Sequence, residues 1–170
     1  MDKTSVNFKE YLLKPGYVVL PAEPTRIFCT LGSGGVVTLF DKRLKIGGMT
    51  AYLEPVRHDK AWSTPFFACP AIVGLIRLCL NGGSRRQDLE AQVYGGSDNV
   101  QARAYKPGLG QRNFEAALEI LHKEGIEVVG QDFGGYRGRK IVFNTRSGEV
   151  LVARLNQMVP QDWYPHVHAG

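Results

Sequence analysis

The sequence has few of the features that mark secreted or membrane-spanning proteins. It contains only three cysteines, Cys29, Cys69 and Cys79, an odd number without the spacing of a disulfide framework. Its longest apolar run, residues 71–80, is interrupted by a glycine and an arginine and is too short to span a bilayer. No apolar core of a signal peptide follows the N-terminus. These absences predict a cytoplasmic protein without membrane insertion.

Metal-binding patterns are also missing. His166 and His168 form a His-x-His pair, but they lie in segment 157–170, which we interpret as a C-terminal tail. His58 and the two later cysteines do not have the close spacing of metal ligands. We therefore predict no metal site.

The glycine-rich segments do not match a nucleotide-binding motif. The run Gly108-Leu109-Gly110 lacks the third glycine and the preceding strand of a dinucleotide fingerprint. The run Gly32-Ser33-Gly34-Gly35 is followed by a predicted strand, so it offers no helix N-terminus for a phosphate. The sequence therefore predicts no cofactor.

The charge balance is moderately basic, with 21 Lys and Arg residues, 16 Asp and Glu residues and a net charge of +5. Such a balance favours solubility, or a partner with an acidic surface. The basic residues are scattered and form no stripe interleaved with aromatic residues, so we expect no nucleic-acid partner. A nucleic-acid-binding module, the weaker alternative, would show steeply salt-dependent binding.

The pattern of apolar residues and turns predicts one α+β domain over residues 1–170, with layered mixed β-sheets and two main helices. Residues 1–16 are interpreted as a polar lead-in, and residues 55–69 and 97–110 as loops. Strands are predicted at residues 17–20, 26–31, 36–40, 46–53, 89–94, 126–129, 141–143 and 150–152. Helices are predicted at residues 71–80 and about 114–124.

The second helix has the clearest pattern in the chain. Asn113 precedes it as a predicted N-cap, and Gly125 follows it as a predicted stop. Its apolar residues recur at the spacing of one helical face, at Phe114, Ala117, Leu118 and Leu121.

An ordered set of short motifs runs from about Tyr17 to Leu155. The first is Leu31-Gly32-Ser33-Gly34-Gly35-Val36-Val37, followed by Gly47-Gly48-Met49-Thr50-Ala51 and Glu54-Pro55. Further members are Gly83-Ser84-Arg85, Ala91-Gln92-Val93-Tyr94-Gly95-Gly96, Gly110-Gln111-Arg112-Asn113 and Gly134-Gly135-Tyr136-Arg137-Gly138-Arg139-Lys140. The set resembles the signature of the chemoreceptor glutamine deamidases of bacterial chemotaxis, the CheD family.

The resemblance implies a fold like that of the cysteine hydrolases and a protein-glutamine deamidase chemistry. In the family a Cys attacks a receptor glutamine amide or a methyl ester, a His activates the thiol, and a Thr orients the His. Here the Cys position is Gly34 and the His position is Ala51. The Thr has no clean counterpart, since Phe28 or Cys29 falls there and Thr30 lies nearby. The implied partners are the chemoreceptor cytoplasmic domain and a CheC-type phosphatase.

These departures lead to the hypothesis of a non-catalytic family member, with no catalytic residue and a residual binding pocket. The pocket is predicted to comprise Thr30, Ser33, Gly34, Gly35, Ala51, Gly95, Gly96, Gly134 and Gly135. The alternative is an active deamidase that uses Cys29 or Ser33 as the nucleophile, with His58 as a base reaching the site through an unusual loop path. We interpret Cys29 instead as a small buried thiol in a strand.

Overall fold

The computed structural model describes residues 5–55, 64–103 and 105–156. Within them the fold is α+β with two mixed sheets and two helices, which confirms the predicted fold class. The strands are β1 (Lys9–Leu12), β2 (Tyr17–Val19), β3 (Thr25–Leu31), β4 (Gly35–Asp41), β5 (Ile46–Tyr52), β6 (Leu89–Gly95), β7 (Glu127–Phe133), β8 (Gly138–Asn144) and β9 (Val150–Leu155). The helices are α1 (Ala68–Asn81) and α2 (Leu109–Lys123), with a short 3₁₀ helix at Arg86–Asp88.

Both sheets combine parallel and antiparallel pairs. The four-stranded sheet has the order β1-β3-β8-β9, in which β1 and β3 are parallel and the other neighbours are antiparallel. The five-stranded sheet has the order β2-β5-β4-β6-β7, in which β6 and β7 are parallel. The β3–β4 connection passes from one sheet to the other through the turn 32–34. This turn therefore lies where the two sheets meet.

The strand β4 is covered on both faces, which explains its almost continuous apolar sequence. Alternate side chains of a strand point to opposite faces. Val37 and Leu39 pack in the core shared with α1 and α2, whereas Val36 and Phe40 pack in the core shared with the four-stranded sheet. The five-stranded sheet is thus the middle of three layers.

The helix α2 presents the predicted apolar face, since Phe114, Ala117 and Leu121 are buried in the core. Its start was predicted wrongly. The helix begins at Leu109 after Gly108, which has a left-handed φ of 71°, so Asn113 lies inside the helix rather than at its N-cap. The earlier start is possible because Gly110 has no side chain, and a Cβ there would collide with the carbonyl of Gly96.

The segment predicted as a polar lead-in contains an edge strand. Residues 9–12 form β1, and the following Leu13 is only 1% exposed in the core between the sheets. Most side chains of β1 are exposed, so its sequence lacks the alternation that would have indicated a strand. The predicted tail 157–170 lies outside the described residues.

The last strand of the five-stranded sheet is longer than the predicted 126–129, because β7 continues to Phe133. Gly130 interrupts the apolar pattern there, and the pairing with β6 shifts register between Ala91 and Gln92. Neither helix of the described chain is long and apolar enough to cross a membrane.

Candidate functional site

The turn between β3 and β4 forms part of the wall of a cleft of about 840 Å³. Four of the predicted pocket residues line this cleft: Thr30, Ser33, Gly34 and Ala51. Thr30 comes from the end of β3 and Ala51 from β5, so the cleft opens where the two sheets meet. Its volume is in the range of small-ligand sites in proteins.

The other five predicted residues lie around the cleft rather than in its wall. Gly35 begins β4 and pairs with both Tyr52 and Gly95. Gly96 donates a backbone hydrogen bond of 2.8 Å to the carbonyl of Gly34. The remaining pair, Gly134 and Gly135, lines a separate pocket of about 220 Å³.

The glycines at the end of β6 support the turn. Gly95 and Gly96 both have left-handed φ angles, 116° and 64°, which favour glycine. A Cβ on Gly95 would collide with the carbonyl of Gly34. The two glycines therefore let β6 approach the turn closely.

Asn113 fixes the turn from the helix side, a role that the sequence analysis missed. Its side chain is completely buried, and its amide nitrogen Nδ2 donates to the carbonyls of Ser33 and Leu53, each at 2.8 Å. The hydroxyl of Tyr52 donates in turn to the backbone carbonyl of Asn113 at 2.7 Å. One residue of α2 thus ties the β3–β4 turn to the end of β5.

The backbone at Gly34 leaves no room for a side chain. A Cβ there would stand 2.5 Å from the carbonyl oxygen of Tyr52, a distance that real Cβ atoms essentially never show. A Cβ on Gly35 would overlap the ring of the same tyrosine. The Gly34-Gly35 pair is therefore required by the position of Tyr52.

Ala51 and Thr30 are both 1% exposed, although each contributes to the cleft wall. Ala51 pairs with Val36 of β4 and Tyr17 of β2, and its carbonyl accepts a hydrogen bond of 2.8 Å from the amide of Gly16. The backbone at Ala51 is thus held on both sides by neighbouring strands.

The charged side chains in the cleft wall are cationic. They are Arg103 and Lys106, both from the segment that precedes α2. Lys106 forms an ion pair of 2.7 Å with Glu54. In the described part of the chain, no carboxylate lines the cleft.

Neutral polar side chains complete the wall. They include Ser97, Asn99, Gln101, Tyr105, Tyr136 and Asn156. Burial, followed by the charge and hydrogen bond of Asp98, raises the pKa of Tyr105. The cleft can therefore supply hydrogen bonds and positive charge.

Comparison with known proteins places the chain in a family. The family model described as "CheD chemotactic sensory transduction" matches residues 54–154. The chain belongs to the CheD family. The match begins after β5, so Gly34 and Ala51 lie before it.

Several curated CheD proteins are similar to this chain over most of its length. "Probable chemoreceptor glutamine deamidase CheD 2" of Geobacter sulfurreducens is 36% identical, over 85% of this chain and 89% of its own. "Probable chemoreceptor glutamine deamidase CheD" of Trichlorobacter lovleyi is 36% identical, over 88% and 92% respectively. "Probable chemoreceptor glutamine deamidase CheD 1" of Anaeromyxobacter dehalogenans is 35% identical, over 84% and 83%.

Cys29 of this CheD chain is a buried thiol, as its position in a predicted strand indicated. It is 0% exposed in the core between the sheets, and its Sγ donates a weak hydrogen bond of 3.9 Å to the carbonyl of Thr30. Burial raises the pKa of Cys29 to about 12. Its thiol is therefore protonated at neutral pH, whereas the thiolate is the nucleophilic form.

The structure places no histidine beside Ser33 among the described residues. The one histidine in those residues, His122, is exposed in the last turn of α2 and does not line the cleft. His58, His166 and His168 lie outside the described residues. No group of three metal-ligating side chains occurs in the described ranges.

The second pocket of this CheD chain is organised by Arg139, which is 2% exposed. Arg139 donates to the carbonyls of Gly95 and Gly134, at 3.2 and 2.9 Å, and to the carboxylate of Asp132 at 3.2 Å. Asp132 also accepts a hydrogen bond of 2.9 Å from Arg154. The arginine thus anchors the Gly134-Gly135 turn to β6.

Proposed function

We propose that this CheD-family chain is a non-catalytic member that binds chemoreceptors through the cleft at the β3–β4 turn. The observation that carries the proposal is the environment of Gly34, which stands where the family resemblance expects the nucleophilic Cys. Gly34 has no side chain, and the carbonyl of Tyr52 occupies the space that a Cβ would need.

The chemistry of amide cleavage supports the non-catalytic assignment. Acyl transfer from an amide needs a nucleophile and a base within hydrogen-bond reach of it. Ala51 supplies no base at the position of the family His. The remaining candidates, Cys29 and Ser33, are respectively a buried thiol and a hydroxyl without a described histidine nearby. The alternative of an active deamidase therefore has less support.

The preserved frame around the turn supports a retained binding role. The carbonyls of Gly32, Ser33 and Gly34 all accept hydrogen bonds from neighbouring segments, and the cleft remains open at about 840 Å³. The relatives are named for action on chemoreceptor glutamine, so the cytoplasmic domain of a chemoreceptor is the proposed partner in the cytoplasm. A CheC-type phosphatase is the second proposed partner.

Binding to a purified chemoreceptor cytoplasmic fragment tests the proposal. A cleft-filling variant, Ala102→Trp, changes an exposed residue of the cleft wall. Its matched control, Ala153→Trp, changes an exposed residue of β9 outside the wall. We expect saturable binding of the wild-type chain and the control, and affinity weakened roughly tenfold or more in Ala102→Trp, because the indole blocks the cleft.

Two results would contradict the proposal. One is no binding of the wild-type chain to a fragment that an active CheD relative binds in the same assay. The other is equal affinity of the wild-type chain and Ala102→Trp, which would place the receptor contact outside the cleft. Repeating the assay with a CheC-type phosphatase tests the second partner.

A further inference from the structure

Among the described residues, the charged side chains that line the cleft are the exposed Arg103 and Lys106. Lys106 is paired with Glu54, and the side chain of Asp98 hydrogen-bonds to Tyr105 of the wall. Arg103 forms no ion pair with a described residue. A carboxylate entering the cleft meets the guanidinium of Arg103, and no described side chain that lines the cleft carries the same sign as the carboxylate. A neutral carboxamide gains less from this cation than a carboxylate does, because it carries a dipole but no net charge.

The backbone of the turn offers hydrogen-bond donors. The carbonyl of Gly32 accepts a bond of 3.1 Å from the amide of Ser97, and the carbonyl of Ser33 accepts from the side chain of Asn113. In a trans peptide the N–H points opposite to the C=O. The N–H groups of Ser33 and Gly34 therefore point away from these partners, and neither finds an acceptor among the described residues.

The Gly34 amide points away from α2. Asn113 holds the Ser33 carbonyl from the buried side of the turn and does not line the cleft, whereas Ser33 and Gly34 do. Main-chain N–H groups held in this way are acceptor sites for carboxylate oxygens, and charge-assisted bonds of this kind are stronger than neutral ones.

We infer that the cleft recognises a carboxylate side chain, so that the protein binds receptor segments carrying glutamate in preference to the same segments carrying glutamine. The inference rests on the proposed receptor-binding function and specifies its ligand. The chain then binds preferentially to receptors in the deamidated state, which is the state that an active deamidase produces. Arg103 and the amides of Ser33 and Gly34 are the groups that distinguish the two states.

Two receptor fragments that differ only at the convertible positions test this inference. In one, the glutamines that an active CheD relative converts are left as Gln; in the other, they are replaced by Glu. Affinities are measured at low salt and at about 0.5 M NaCl. We expect roughly threefold to tenfold tighter binding of the Glu fragment at low salt, with most of the preference lost at high salt, because exposed charges are screened.

The variant Arg103→Gln removes one cation from the cleft wall, and Arg146→Gln removes an exposed arginine from the β8–β9 hairpin outside it. Both change the net charge of the chain equally. We expect Arg103→Gln to reduce the preference for the Glu fragment at least twofold and Arg146→Gln to leave it unchanged. Equal losses in both variants would mean that the preference comes from net charge alone, and would overturn the inference.

The outcomes separate this inference from the proposed function. Equal affinity for both fragments, or tighter binding of the Gln fragment, overturns carboxylate recognition and leaves receptor binding intact. No binding to either fragment contradicts receptor binding itself. Conversion of Gln to Glu during the measurement, detected by mass spectrometry, contradicts the non-catalytic assignment.

Discussion

The carbonyl oxygen of Tyr52 lies 2.5 Å from the point that a Cβ atom on Gly34 would occupy. Gly34 lies in the turn directly before β4, and the next residue, Gly35, is paired with Tyr52 of β5. Tyr52 is itself held in place, because its hydroxyl donates to the Asn113 carbonyl and its ring is buried. The space beside the Gly34 backbone is thus filled by the main chain of β5.

Gly34→Ala should destabilise the protein by about 1–3 kcal/mol, because the backbone of β4 or β5 must shift to admit the methyl group. Gly74→Ala is the matched control, since a Cβ at Gly74 of α1 meets no atom closer than 3.9 Å. Alanine there should be neutral or stabilising by up to about 1 kcal/mol. Urea denaturation measures both. Equal stability of Gly34→Ala and the wild type would contradict the close contact with Tyr52.

Restoring the family side chains should not restore the chemistry. In the double variant Gly34→Cys, Ala51→His the thiol is attached to a strained backbone, so we expect no deamidation of a receptor fragment. The measurement is peptide mass spectrometry, with circular dichroism to show that the variant is folded. A folded double variant that deamidates the fragment would show that the turn readily admits a catalytic cysteine.

Asn113→Ala should cost about 1–3 kcal/mol, because the carbonyls of Ser33 and Leu53 lose their donor in a partly buried setting. Asn81→Ala, at the exposed end of α1, is the control and should change stability by less than about 0.5 kcal/mol. The comparison uses the free energy of unfolding from urea denaturation. Similar values for the two variants would mean that Asn113 does not brace the turn.

The three thiols should differ sharply in reactivity. Cys69 is exposed, whereas Cys29 and Cys79 are buried and burial raises the pKa of each to about 12. With a thiol reagent at pH 8, one thiol should react in the native protein and the other two only after denaturation. Rapid labelling of Cys29 in the native protein, identified by peptide mapping, would contradict its burial and make it a candidate nucleophile.

The contribution of the Asp132 ion cluster to the free energy of unfolding should depend on pH. Burial alone would raise the pKa of Asp132, but hydrogen bonds from Arg139 and Arg154 outweigh it and hold the pKa below its usual value. The stabilisation is therefore complete above the unfolded pKa of about 3.9 and is lost as the pH falls through the lower folded pKa. Asp132→Asn should flatten the fall in unfolding free energy below about pH 4; parallel curves for variant and wild type would contradict this.

Local patterns predicted the parts of the fold that depend on local sequence. The face of α2 formed by Phe114, Ala117 and Leu121 follows from spacing alone. The edge strand β1 could not be predicted from spacing, because its side chains are mostly exposed and its pairing with β3 is set by contacts distant in sequence. The same limit explains why β7 was predicted too short.

The candidate site was predicted in part for the same reason. The family resemblance identified Gly34 and Ala51, and the structure brings both into one cleft wall. The role of Asn113 was missed, because an Asn before an apolar helical run is usually an N-cap. The cations of the cleft wall were missed as well, since Arg103 lies in a predicted loop whose position depends on the whole fold. Only tertiary structure shows which loop residues face the turn.

A deamidation assay on the unmodified chain tests whether this protein is non-catalytic. The protein is incubated with a chemoreceptor cytoplasmic fragment, and the Gln-containing peptides are quantified by mass spectrometry beside an active CheD relative. We expect no conversion above that of the untreated fragment. Clear conversion by the wild-type chain, abolished by Cys29→Ser or Ser33→Ala, would contradict it and would assign the catalytic role to one of those two residues.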